Sequence, residues 1–398
     1  MAGIRFAFDA NRRAGNWKQE QNSRQMRVRC EMYNACFGKD SCYLNDKIIL
    51  EAADLDGHLN EADRENIMRL HRYYSELMCC FRELSAGEAN PSLVKSETDK
   101  VIDLYEKMGE FMQEVTADEP NLHFYSFETP SIQHGEVSRL IAKLRDARTG
   151  NEEFIYYIQR AYKLLFNLAW GGVGKRQKNY LVVKTPIVMP VQNFAVHKIP
   201  DVDELIKNTV MCVMLRGALL PSMILSKEIQ EYSSTGMITP FALFRIKRDD
   251  SKTKEDMEYV LDLDMSYFDL QNLEDKNLVF ADPMNATGGS MVTIVKYLLD
   301  QGIRPRSIKT LNVIAALQGS LQVVRSIENI DVYTLWMDPI LNDSAYILPG
   351  LGDAGDRING PDENYPRSMI QLVADYGANL ASLYRSQVGE IERTVLGG

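Results

Sequence analysis

Residues 279–290 read VFADPMNATGGS. Four residues suited to a sheet interior run into Asp282, then a proline, then a turn of small residues ending Gly288-Gly289-Ser290. Glycine admits positive φ and lets the backbone approach a ligand closely. Successive N–H groups at a helix N-terminus form an anion nest that the helix dipole favours. Thr287 and Ser290 add hydroxyl donors. Asp282, at the strand tip, is an acceptor suited to sugar hydroxyls or to a magnesium-bound ligand. An acid and a phosphate cradle a few residues apart describe a phosphorylated sugar better than a bare phosphate. A plain strand–helix turn, capped by Asp282 and Thr287, uses the same residues, so spacing alone leaves both readings open.

Other groups with chemical potential carry less. AWGGVGKRQ at 169–177 is not a nucleoside-triphosphate P-loop, because Arg176 stands where Ser or Thr is needed and Ala169 where the first glycine belongs. Cys30, Cys36 and Cys42 recur at intervals of six with His58 further on. They lack the short Cys-x-x-Cys pairing of structural zinc. Cys79 and Cys80 are adjacent on a helical pattern and read as core thiols, and His134 and His197 read as structural. Arg5, Arg12, Arg13, Lys18, Arg24, Arg27 and Arg29 form a basic cluster interrupted by acids, a solvated or partner-facing surface rather than a nucleic-acid arm.

The elements that must position these groups fall into two parts. Up to about residue 125 the pattern is helical. ADRENIMRLHRYYSELMCCFREL aligns Ile67, Leu70, Tyr74, Leu77, Met78 and Phe81 on one face, and SETDKVIDLYEKMGEFMQEV aligns Val101, Leu104, Tyr105, Met108 and Met112, with Ser96 and Asp99 as its cap. Residues 117–131 read as a linker, followed by two further helices. From about 180, apolar β-rich runs alternate with helical ones: NTVMCVML, NLVFA, SIKTLNVIAAL and DVYTLWMD as strands, with helices between. That order predicts a mostly parallel sheet with helical crossovers, whose ligands sit at the carboxyl ends of the strands.

Composition sets outer bounds. The chain has 398 residues, 45% of them hydrophobic, enough for more than one domain. A net charge of -10 argues against general binding to nucleic acid or anionic membranes. The most apolar run, TVMCVMLRGALLPSMIL, is broken by Arg216, Gly217 and Pro221 and is too short to span a bilayer. MAGIRFAFDANRRAG has no apolar signal-peptide core, and six cysteines in this length do not make a disulfide scaffold, so a soluble cytoplasmic protein with free thiols is expected.

DPMNATGGS is very similar to the phosphoribosyl-pyrophosphate loop of the uracil phosphoribosyltransferase family, Asp-Pro-Met-Leu-Ala-Thr-Gly-Gly-Ser. YILPGLGDAGDR at 346–357 resembles the family's uracil-recognition segment, MDPILN at 337–342 its Asp-x-x-Leu-Asn stretch, and MLRGALL at 214–220 its pyrophosphate loop. IQHGEVSRLIAKLRDARTGNEEF and VVKTP are weaker echoes, all in the family's order, so the resemblance covers about 131–361. It implies a type I phosphoribosyltransferase fold (α/β, a mostly parallel sheet flanked by helices) with an added all-α N-terminal domain. It also implies Mg2+-dependent transfer of ribose 5-phosphate from phosphoribosyl pyrophosphate to uracil, giving UMP and pyrophosphate. Asp282 would hold the ribose hydroxyls; Asn285, Ala286, Thr287, Gly288, Gly289 and Ser290 would hold the 5-phosphate; Arg216 and Gly217 would contact pyrophosphate. Main-chain groups of Ile347 and Gly352 would read uracil, with Tyr346, Pro349 and Ala354 shaping the pocket and Asp353 near the ribose and the metal. Residues 244–259 would form a lid, with Arg248-Asp249-Asp250 resembling the family's Arg-Asp-Glu; Asp282, Asp353, Arg216 and Arg248 are the expected catalytic set.

The sequence departs from the family at Arg216-Gly217-Ala218 (Arg-Ala-Gly), at Asn285 (Leu), and at Asp262-Leu263-Asp264 (Lys-Leu-Pro). Three readings therefore stand: a uracil transferase; a transferase for another pyrimidine-like base; and a non-catalytic module that binds UMP, UTP or phosphoribosyl pyrophosphate as a signal for a partner. The expected domains are 1–125, helical, open to regulation, oligomerisation or a protein partner; 126–366, transferase-like; and 367–398, a helical tail. At least a dimer is expected.

Overall fold

The computed structural model describes residues 47–86, 91–131, 134–171, 178–188, 190–200 and 202–360, all within one compact unit, Lys47–Gly398. The expected Cys30–Cys42 cluster, the basic cluster and the C-terminal tail lie outside the described residues.

A nine-stranded sheet is the scaffold. Its centre is four parallel strands in the order β5 (Thr209–Leu215), β8 (Asn277–Ala281), β10 (Ser307–Ala316) and β11 (Ile330–Asp338). β5 and β8 are buried along their whole length, as near-continuous apolar runs require when helices cover both faces. The helices α7 (Leu219–Tyr232), α8 (Gly289–Asp300) and α9 (Leu317–Ser326) carry the chain between strands. The alternation of these strands and helices was legible in the sequence; the strand order was not.

β6 (Phe241–Arg248) still runs parallel to β5, and beyond it the sheet turns antiparallel. β6 and β7 (Glu258–Tyr267) form a hairpin, so the expected lid of 244–259 is two strands joined by a loop over 249–257. A short strand, β9 (Met284–Asn285), pairs with β10, and β12 (Ile340–Leu341) with β13 (Ile347–Leu348). β3 (Lys178–Lys184) and β4 (Phe194–Pro200) make a separate two-stranded arm.

The N-terminal region is helical as expected, with α1 (Ala52–Asp56), α2 (Glu61–Ser85) and α3 (Pro91–Thr116), but it also supplies both edges of the sheet. β1 (Lys47–Glu51) pairs antiparallel with β7, and β2 (Leu122–Ser126) pairs parallel with β11. The segment read as a linker, 117–131, thus contains an edge strand. Both strands have five residues, too few to outweigh neighbouring helical periodicity. The expected cap at Ser96 and Asp99 is also corrected. The helix begins at Pro91, where a missing N–H costs nothing, and Ser96 falls inside it. Asn60 caps α2 through a reciprocal pair with Asp63. No helix among the described residues is long and apolar enough to cross a membrane.

Helices α4 (Gly135–Arg145), α5 (Asn151–Phe166), α6 (Asp203–Ile206) and α10 (Ala354–Asn359) complete the unit. α5 lies against β10 and β11, burying Phe154, Tyr162 and Phe166.

Candidate active site

The carboxyl ends of β5, β8 and β10 open on a cleft of about 180 Å³. β8 ends at Ala281, and Asp282 follows half-buried on the floor. Its Oδ1 accepts from the Met284 N–H at 3.3 Å, and its carbonyl from Asn312 Nδ2 at 2.9 Å. Thr310 donates in turn to Asn312 Oδ1 at 3.2 Å. Burial pushes the Asp282 carboxyl up to about 7, and the charge of Asp353 adds to the rise.

The turn that follows is shaped by packing as well as by openness. Gly288 takes φ +71°, and a Cβ there would lie 2.2 Å from Val323 of α9. A Cβ on Gly289 would lie 2.3 Å from the Tyr259 ring, and one on Gly319 would lie 2.0 Å from the Ala286 carbonyl oxygen. The lid strand and α9 therefore press the loop from two sides, and only glycine fits at the contacts. Thr287 is buried; its hydroxyl is 2.5 Å from the Tyr259 hydroxyl and accepts from the Gly289 N–H at 3.3 Å. Gly288, Gly289, Ser290 and Met291, at the start of α8, line the cleft.

The base-recognition candidate, 346–353, hangs from a buried carboxylate. Asp338, at the end of β11, is 1% exposed. It accepts from the Gly350 N–H at 2.9 Å and pairs with Arg145 of α4 at 2.5 Å. Burial pushes its pKa up while Arg145 and the Gly350 N–H oppose the rise. Gly350 has φ +65°, and a Cβ there would lie 2.3 Å from the Ile347 carbonyl oxygen. Asn342 Oδ1 accepts from the N–H groups of Ser344 and Tyr346, at 3.0 and 2.8 Å. The lid closes over this segment: Arg248 stacks 4.6 Å above the Tyr346 ring, and the Lys254 N–H donates to the Asp343 carbonyl at 2.7 Å.

Of the expected residues, Asp282, 285–290, Arg248, Tyr346 and Asp353 line one cleft. Arg216, Gly217, Ile347, Pro349, Gly352 and Ala354 stand outside its wall. Arg216 donates to the Gly360 carbonyl at 2.7 Å and pairs with Asp356 at 2.5 Å, which draws its guanidinium toward α10. Ala354 is the buried first residue of that helix, and Ile347 is taken up in the β12–β13 ladder. Asn285 is buried with no hydrogen-bond partner for its amide. Sequence reasoning quoted Asp338 within MDPILN but gave it no role, and missed Tyr259, Arg145, Thr310 and Asn312. The last two had a signal, since a polar pair at alternate positions inside an apolar strand asks for a buried partner.

The family model described as uracil phosphoribosyltransferase matches residues 131–360, more than half of the chain. The chain belongs to the uracil phosphoribosyltransferase family. A uracil phosphoribosyltransferase from Dictyoglomus thermophilum is 29% identical over 229 residues, which is 58% of this chain and 97% of the relative. One from Mycoplasmoides gallisepticum is 30% identical over 230 residues, with the same coverage. One from Finegoldia magna is 39% identical over 111 residues, 28% of this chain and 49% of the relative. In this uracil phosphoribosyltransferase family member, the cleft's phosphate loop, Asp353 and Arg248 fall inside the matched span. β1, α1, α2, α3 and β2 fall before it.

Proposed function

We propose that this chain transfers ribose 5-phosphate from phosphoribosyl pyrophosphate to uracil, forming UMP and pyrophosphate. The C1–N1 bond forms as the C1–O bond to pyrophosphate breaks, and the N1 proton is released. The observation that carries this reading is the meeting, in one cleft, of the Asp282 carboxylate, the 286–290 cradle at the α8 N-terminus, and Tyr346 and Asp353 of the base segment. A transition state of this kind spreads positive charge over the ribose and negative charge over the leaving group, so placement and fixed charges supply most of the rate. Asp282 orients the ribose hydroxyls, the cradle fixes the 5-phosphate, and the lid with Arg248 excludes water.

The donor set fits Mg2+. Asp282 and Asp353 both line the cleft, and these two carboxylates would hold the ion. Among the described residues no cluster of three His, Cys, Asp or Glu could hold an ion alone. Mg2+ ordinarily keeps several waters and takes only one or two protein carboxylates beside substrate phosphates. When bound, it would neutralise charge on the departing pyrophosphate. The acidic departure at Asp262 has cationic neighbours in register, Arg245 on β6 and Lys47 on β1. No observation favours the sensor reading.

The β3–β4 arm supports at least a dimer. Tyr180, Leu181, Val182, Phe194 and Val196 are each 47–65% exposed on a hairpin that is marginal alone. A second copy would cover them, and Val182→Glu should lower the sedimentation mass if it does. The free thiols of Cys79, Cys80 and Cys212 suit the cytoplasm. The function itself is tested by incubating the full chain with Mg2+, phosphoribosyl pyrophosphate and labelled uracil. UMP is expected; its absence, with the Dictyoglomus thermophilum relative active beside it, overturns the proposal.

A further inference from the structure

Residues ahead of the family-matched span meet the lid directly. β1 pairs with β7 from Lys47 opposite Asp262 to Glu51 opposite Glu258. Leu50 stands opposite Tyr259, whose hydroxyl holds Thr287 in the phosphate loop. The N–H of Ala52, the first residue of α1, donates to the Met257 carbonyl at 2.8 Å. At the other end of α1, Asp56 accepts from Gln322 of α9 at 2.6 Å. α9 is the helix that packs behind the same loop through Gly319 and Val323. On the far flank, His71 of α2 lies near Lys254 of the lid and Asp343 of the base segment, whose charges act on its imidazole. Behind the base segment, α2 packs on β12.

The consequence lies in strand order. A lid hairpin alone ends in an edge strand, with a row of unmade backbone hydrogen bonds and freedom to swing. Here β7 is an interior strand, paired with β6 on one side and β1 on the other over the residues that carry Tyr259. We propose that β1 and α1 are positioning elements of the active site, which hold the lid strand and Tyr259 against the phosphate loop before any substrate binds. The inference rests on reading 249–257 as the lid of a phosphoribosyl-transfer site, but its structural half is measurable without substrate.

Ala52→Pro is the discriminating variant. Ala52 is the first residue of α1, where proline is favoured, and Glu51 before it already has the extended backbone (φ -92°, ψ 153°) that precedes proline well. The change removes the N–H that binds Met257 and adds ring atoms at a site only 4% exposed. Hydrogen–deuterium exchange of the full chain is expected to show 258–262 protected like the core in the wild type. In Ala52→Pro, exchange over 249–262 should rise at least tenfold while β8, β10 and β11 stay unchanged. Asp56→Ala, which frees α1 from Gln322 without touching the strand, should do the same and decides the matter if the proline variant misfolds. Wild-type exchange of 258–262 as fast as that of exposed loops, or a lid unmoved by Asp56→Ala, overturns the proposal. With uracil and phosphoribosyl pyrophosphate, the loosened variants should raise KM for phosphoribosyl pyrophosphate and hydrolyse it faster without uracil. A wild type that makes no UMP while its lid is protected sinks the functional reading and leaves the clamp standing.

Discussion

Asp282 holds its proton more tightly in the folded protein than in the unfolded chain, because the cleft removes it from water and sets Asp353 opposite. The cost of ionising it is absent below about pH 4, grows as pH rises toward 7, and is constant above. A carboxyl moved from 3.8 to about 7 corresponds to roughly 3 kcal/mol at pH 8, taking 1.36 kcal/mol per unit and some relief from water at the cleft mouth. Asp282→Asn is therefore expected to stabilise the protein in urea unfolding at pH 8, with the gain fading toward pH 4, while UMP formation is lost. Asp338 works differently: it reaches the base segment through the Gly350 N–H and answers Arg145 on its other oxygen. In Asp338→Asn one of these two donors faces an amide N–H2. A uracil KM at least tenfold higher is expected, with phosphoribosyl pyrophosphate binding unchanged by titration; equal loss of both would mean general damage.

At the scale of elements, the phosphate loop is held by neighbours as much as by its own turn. The first turn of α9 carries glycine at 319 because the Ala286 carbonyl oxygen sits where a side chain would be. Gly319→Ala must push the loop and helix apart, an overpacking cost of about 1–3 kcal/mol. It is expected to raise KM for phosphoribosyl pyrophosphate more than KM for uracil in initial-rate assays. The strand–turn–helix itself, 277–300, was readable from the apolar run, the acid and the glycines. The partners of those glycines were not, because Tyr259 and Val323 arrive from a lid strand and a helix that local periodicity does not connect to the loop.

Across the whole molecule, one arginine joins the N-terminal region to the transferase scaffold. Arg325 of α9 donates to both carboxylate oxygens of Asp63, at 3.1 and 3.2 Å, and to Glu119, at 2.9 Å through Nη1. Asp63, 4% exposed, also caps α2 through the Asn60 N–H. Arg325→Ala leaves that carboxylate buried without its cation and is expected to cost about 2–4 kcal/mol in denaturant unfolding. Because α2 touches the base segment and α1 the lid strand, the loss should also appear as faster exchange over 249–262. An unchanged midpoint would mean that the two regions are held by apolar packing alone.

The chemistry class came from the family resemblance, while the sequence by itself determined the parallel core and the glycine-rich turn after Asp282. Those depend on neighbours a few residues away: continuous apolar runs for buried strands, glycines for a positive φ, an acid at a strand tip. Only the tertiary structure decided which distant groups meet. Tyr259 finds Thr287 across 28 residues, Arg216 turns to Asp356 across 140, and Arg145 reaches Asp338 across 193. Strand order also decided that the N-terminal region closes the sheet at both edges, because a five-residue strand has too little pattern of its own and is defined by the open backbone hydrogen bonds of β7 and β11.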